Sequence, residues 1–344
     1  MVSLKETKVT EFLTNELGRV PTSSEISQGM KAPWSLANIH NDLNVGQSVL
    51  SISPTDDLQD AIDMVDSNGG GVVYLKGGTY DLVNNIVIPS NVHIVGVGSG
   101  GSILDFGGTA HQVQAIGTAM DQVVSVKLQG ITIQNSSTAL LKLDYCLNFS
   151  GNDITVMDGL KGIEATNMEI FNFDTFSSDT CDTGIDLSTC DSMTLNNMAV
   201  TGATVGGFIF DTVNNATYIN SSVDTSTGVG ISMTDCGDFT LDSYSLVDIT
   251  GIGMLCDNTT VMSAASGTIA NCSSDGVRLQ NGTSNCQFVT SNFNDNGGYG
   301  VNITTAGCAS NLFAINDFSG NSSGAMSDSG TGTLVRSNIG LADN

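Results

Sequence analysis

Three side chains that fall at one slot of a recurring phrase are the best candidates for chemistry: Lys142, Glu164 and Asp186, spaced 22 residues apart. If one period of chain makes one coil of a solenoid, such residues stand over one another about 5 Å apart. Two carboxylates at that spacing can act as nucleophile and acid in retaining glycoside hydrolysis, because proximity pushes their pKa values apart. The plainer reading, which the residues favour, is a solvated charge ladder in which Lys142 partly neutralises Glu164. Asp153, Asp158, Asp174, Asp179 and Asp182 crowd the same coils and offer the oxygen ligands that calcium takes. They lack a dense Asp-loop motif, so a surface acidic patch is the simpler account, and no other cofactor is indicated. His93, in a strand, and His111, in a loop, read as structural. Tyr218, Tyr244 and Tyr299 are either sugar-stacking residues or interior aromatic stacks, and the only tryptophan, Trp34, lies outside the repeats.

The phrase that positions these residues reads small, apolar, any, apolar. It runs Gly162-Ile163-Glu164-Ala165, Gly184-Ile185-Asp186-Leu187, Gly207-Phe208-Ile209-Phe210, Gly230-Ile231-Ser232-Met233, Gly253-Met254-Leu255-Cys256, Gly276-Val277-Arg278-Leu279 and Gly300-Val301-Asn302-Ile303. The leading glycines are 22, 23, 23, 23, 23 and 24 residues apart. Leu140-Leu141-Lys142-Leu143 fits one period earlier without its glycine, and Gly324-Ala325-Met326 fits once more in weakened form. A fixed period in the low twenties marks a solenoid whose repeats bury their apolar faces on one another. A leucine-rich repeat would need runs of leucine and a convex helix. These repeats are instead dense in Thr, Ser, Asn, Asp, Gly, Val and Ile, which favour short strands and turns. A second alternating segment recurs, as in Ile131-Thr132-Ile133 and Ile154-Thr155-Val156, so each coil holds several strands. Counting from Val72 gives about ten or eleven coils, a rod on the order of 50 Å long.

Composition agrees with a thin core. Of 344 residues, 40 are Gly and only 6% aromatic, fewer than a compact globule of this size would use. The net charge is -25, and all but one unit of it falls after residue 48. Such a field repels nucleic acid and anionic membrane. Cys146, Cys190 and Cys236 lie about two periods apart, and Cys256 falls at an inward slot. The eight cysteines therefore read as small core residues in stacked ladders, and no C-x-x-C pair argues for zinc. The first residues lack the apolar core of a signal peptide, and no run is long enough to span a membrane.

Residues 1–48 read as a small helical head, with Leu4, Val9, Phe12, Leu13 and Leu17 at helical spacing. The text then changes. Asp56-Asp57 opens a short helix at about 56–66, a Gly-rich turn follows, and strands begin at Val72. Asp56, Asp57, Ile62, Gly71 to Leu75, Gly78, Tyr80, Ile88, Pro89, Val92, Ile94, Gly96 and Gly98 together resemble the N-terminal segment of the pectate-lyase-like superfamily, especially the β-helices of bacteriophage tailspikes. Lys76 departs from that pattern, which commonly has proline there.

The resemblance implies an all-β, right-handed parallel β-helix over residues 49–341, with about 22–24 residues per coil in one chain. It also implies a virion structural protein (tailspike, tail fibre or surface appendage) that assembles as a homotrimer and docks on other virion proteins through residues 1–48, with a possible cell-surface glycan as ligand. The expected location is the virion, with no nucleic acid or membrane partner. The superfamily also contains lyases, hydrolases and epimerases, so the competing expectation is a polysaccharide-degrading enzyme centred on Lys142, Glu164 and Asp186. A lyase acting on uronates needs a cationic cleft, yet Lys76, Lys127, Lys142, Lys161, Arg278 and Arg336 fall at scattered registers. The N-T-D and G-H-G signatures of polygalacturonases are absent. An adhesin unrelated to viruses is a third possibility.

Overall fold

The computed structural model describes residues 48–340. The expected helical head, Trp34 included, lies outside the described residues apart from Ser48. Every ladder between named strands is parallel, and the coils after the first contribute strands to three faces. On the first face, Leu50, Val73, Ile94, Leu128, Gly151, Phe173, Leu195, Tyr218, Leu241, Ala264, Phe288, Phe313 and Val335 are successive partners. The solenoid therefore has about 13 coils, more than the ten or eleven that the repeats suggest. The end coils escape a count of phrases because they are short: β1 (Ser48–Ile52) precedes the Gly-rich turn, and Leu334–Arg336 is three residues long.

The repeated phrase forms the third face. Ile163, Ile185, Phe208 and Ile231 pair in register and are fully buried, a continuous interior file. The leading glycine of each phrase is required by close approach. A Cβ on Gly184 would lie 2.6 Å from the carbonyl oxygen of Gly207, and one on Gly207 would lie 2.6 Å from that of Gly230. Each glycine thus seats the backbone of the next coil. One corner of each coil is held in the left-handed region by Asn167, Thr189, Thr212, Asp235, Asn258 and Asn281 in turn. Asn and Asp are the side chains that best tolerate that region, and Asn258 also bonds the Asp235 carboxylate of the preceding coil at 2.6 Å.

The core is apolar and narrow. Phe149, Phe171, Phe173 and Phe176 form one cluster, and Gly151 leaves room for the Phe173 ring. Phe288 and Phe313 stack with centroids 5.0 Å apart. All eight cysteines are buried and free, and Cys190 is paired with Val213 in the expected ladder. Burial pushes the thiols of Cys146, Cys190 and Cys236 up to about 11 and those of Cys272 and Cys286 to about 12. Towards the C-terminal end, buried asparagines bridge coils. Asn316 accepts from the Ser291 N–H and donates to the Phe288 carbonyl, both at 2.9 Å.

Helix α1 (Leu58–Ser67) closes the other end. Asp57 is its N-cap, accepting from the Asp60 N–H at 3.0 Å, and Leu58, Ala61, Ile62 and Val65 face the core. The helix was expected ahead of the first rung. It lies instead within the first coil, after β1, where later coils have their second and third strands.

Candidate functional site

The third face presents the candidate ladder outward, as the period requires. Lys142 pairs with Glu164 and Glu164 with Asp186 in successive coils. The Lys142 Nζ is 3.0 Å from Glu164 Oε2. A fourth residue, Lys161, joins the carboxylates: its Nζ lies 2.6 Å from Glu164 Oε1 and 2.7 Å from Asp186 Oδ2. The four side chains form an alternating, neutral network and are each about a quarter to a third exposed. Burial pulls the Glu164 carboxyl upward, but hydrogen bonds and charge from Lys161 and Lys142 outweigh it and leave the group below its ordinary value. Burial lowers the Lys161 ammonium, and its bonds to Asp186 and Glu164 outweigh that and raise it. Glu164 is therefore ionised at neutral pH and holds no proton to give a leaving group.

Strict alternation along the chain puts Lys161 among scattered cations. At this corner two consecutive residues, Gly162 and Ile163, both point inward. That doubling brings residues three apart onto the same outward patch. The same corner recurs at Asp275-Gly276-Val277-Arg278, where Arg278 Nε and one terminal nitrogen bond Asp275 Oδ2 at 2.9 and 2.7 Å. Asn302 adds a third bond to that oxygen at 2.9 Å, and the Tyr299 N–H holds the other at 3.0 Å. Between the two ionic clusters the outward slot carries half-buried Ile209, Ser232 and Leu255.

The remaining candidates are dispersed. Asp153 accepts from Ser99, Asp158 from Thr180, Asp182 from Thr204, and Asp174 from Asn152, Asn196 and Asn197. These carboxylates are engaged by neighbouring coils, and Asp179 is exposed; among the described residues no three metal-binding side chains converge. Tyr218 and Tyr244 are interior, which removes them as sugar platforms, and burial raises both phenols; Tyr299 stays half-buried on the third face. His93 lies half-buried in Val92–Val95, and His111 in a loop, as expected.

No protein-family profile matches the sequence, and no curated protein sequence does. Solved structures do. The A-module of the mannuronan C-5 epimerase AlgE6 of Azotobacter vinelandii superposes with a TM-score of 0.65 at 15% identity, covering 89% of this chain and 99% of that one. The catalytic domain of a GH87 α-1,3-glucanase gives 0.62 at 10% identity, over 86% of this chain and 70% of that one. ORF18 of Geobacillus virus E2 gives 0.50 at 13% identity, over 85% of this chain and 62% of that one. At these identities the likeness is one of fold: the chain is a right-handed parallel β-helix.

Proposed function

We propose that this chain is a structural protein of a bacteriophage particle, an appendage of the spike or fibre type whose β-helical shaft binds a host glycan without cleaving it. The observation that carries the non-catalytic part is the neutralised ladder. Glu164 is held ionised by two lysines, and the Asp186 carboxylate bonds one of them. The shared fold with a viral ORF and with proteins that act on polysaccharides supports the rest. In this reading residues 1–48 dock on other virion proteins, three copies associate side by side, and the protein resides in the virion. The net charge of -25 disfavours nucleic acid as a partner, and among the described residues no helix is long and apolar enough to cross a membrane.

Immunogold labelling of purified particles, together with light scattering of the purified chain, tests this. Labelled appendages and a trimer mass are expected; particles that carry no label would overturn it. The second reading, a polysaccharide hydrolase or lyase, draws on the two carboxylates one coil apart. With Glu164 ionised, that side chain could serve only as base or nucleophile, and the test of this reading is turnover of a glycan.

A further inference from the structure

We infer that the corner where helix α1 meets the first coils is a binding site for an uncharged sugar unit, a conclusion that deepens the glycan-binding reading and rests on it. A cavity of about 340 Å³ lies there, and a second of about 470 Å³, lined by the coils alone, shares Asp81, Leu82 and Val83 in its wall. Both are in the size range of small-molecule sites. They lie at the N-terminal corner, away from the ionic network of the third face.

The walls are stiff because most of their polar groups are already engaged. Asp56 accepts from the N–H and hydroxyl of Ser53, both at 2.7 Å, and Asp57 caps the helix. Gln59 bonds both backbone groups of Val87, at 2.8 and 3.1 Å. Asp105 accepts from Gln134, Asn135 and the Gly107 N–H at 2.7–3.0 Å. Against that frame, the side chains of Asp81 and Asn84 make no hydrogen bond among the described residues. Asp81 lines both cavities and Asn84 one of them. A carboxylate acceptor and an amide lining one cavity suit sugar hydroxyls, which both donate and accept. Val83, 75% exposed, and Leu82 supply the aliphatic surface on which the C–H face of a pyranose can rest.

The charge of the site selects the ligand class. Asp56, Asp57 and Asp81 line the first cavity and Asp81 and Asp105 the second, so an acidic sugar meets three carboxylates in one or two in the other. A bound metal is not the occupant the geometry suits, since no group of three ligands converges among the described residues. The Asp105–Asn135 and Asp57–Asp60 bonds fix the walls independently of ligand, which keeps the ordering cost of binding low.

Saturation-transfer NMR on the full chain tests the site, with neutral oligosaccharides of glucose, mannose and N-acetylglucosamine as probes and oligogalacturonate as the acidic counterpart. The variants are Asp81→Ala, which removes the free acceptor, and Val83→Trp, which fills the shared wall; both positions are exposed, and circular dichroism checks the fold. Expected are binding of a neutral oligosaccharide, at least tenfold weaker in both variants, and none of oligogalacturonate. Neutral binding that survives both substitutions would remove this site and leave the glycan-binding reading standing. A preference for oligogalacturonate would overturn the assignment of ligand class, and no binding by any probe would overturn both the site and the reading beneath it.

Discussion

Replacing Gly207 by alanine isolates what the repeated glycine does. The added Cβ would lie 2.6 Å from the Gly230 carbonyl oxygen and 2.5 Å from a Val223 methyl carbon, where ordinary contact begins at 3.4 Å. About 0.8 Å must open between two coils whose spacing is fixed at about 4.8 Å by their hydrogen bonds. Overpacking of this kind costs about 1–3 kcal/mol, and the upper end applies because backbone is one of the two obstacles. Gly206 is the control, since its Cβ would meet only the flexible Ile209 side chain at 3.2 Å and Val229 O at 3.5 Å. Gly206→Ala should change stability by no more than about 0.5 kcal/mol. Because a solenoid couples nearest neighbours, the loss should be local. Hydrogen exchange should speed up in strands Gly206–Ile219 and Val229–Thr234, and urea unfolding followed by circular dichroism should give its size. Equal stability of the two variants would refute the close-approach argument.

Asn316→Ala leaves the Ser291 N–H and the Phe288 carbonyl without their buried partner, a loss of about 2–5 kcal/mol that thermal melting and exchange of the last coils would register. The ionic network sets a pH window. Glu164 titrates below its ordinary 4.5, so its contribution is present above that value and disappears as pH falls through the lowered pKa. Lys161 titrates above its ordinary 10.5, so its contribution is present below that value and is lost as pH rises through the raised pKa. The melting difference between wild type and Glu164→Gln should therefore be flat around neutrality and close on acidification. Thiol alkylation read by mass spectrometry should find all eight cysteines protected in the native chain and reactive in guanidinium.

The interior file was legible because Ile163, Ile185, Phe208 and Ile231 repeat at a period that nothing but stacking explains, and Glu164 and Asp186 followed as their outward neighbours. The glycines were legible as markers, but not as the seat of the next coil's carbonyl, which depends on packing between repeats. Lys161 was hidden by a local departure from alternation at Gly162 and Ile163. The cavities beside Asp81 were hidden for a different reason: residues 82–85 lie between two strands, so no register places their side chains. Strand β1 was missed because five residues, SVLSI, carry too little pattern to stand apart from a linker.

The third-face carboxylates are either structural or catalytic. The most direct measurement is incubation of the purified chain with capsular and lipopolysaccharide glycans, scoring new reducing ends and unsaturated products. Structural carboxylates give neither above background, for wild type and Glu164→Gln alike. Product formed by the wild type and abolished in Glu164→Gln, with the fold of the variant intact, would contradict the structural role.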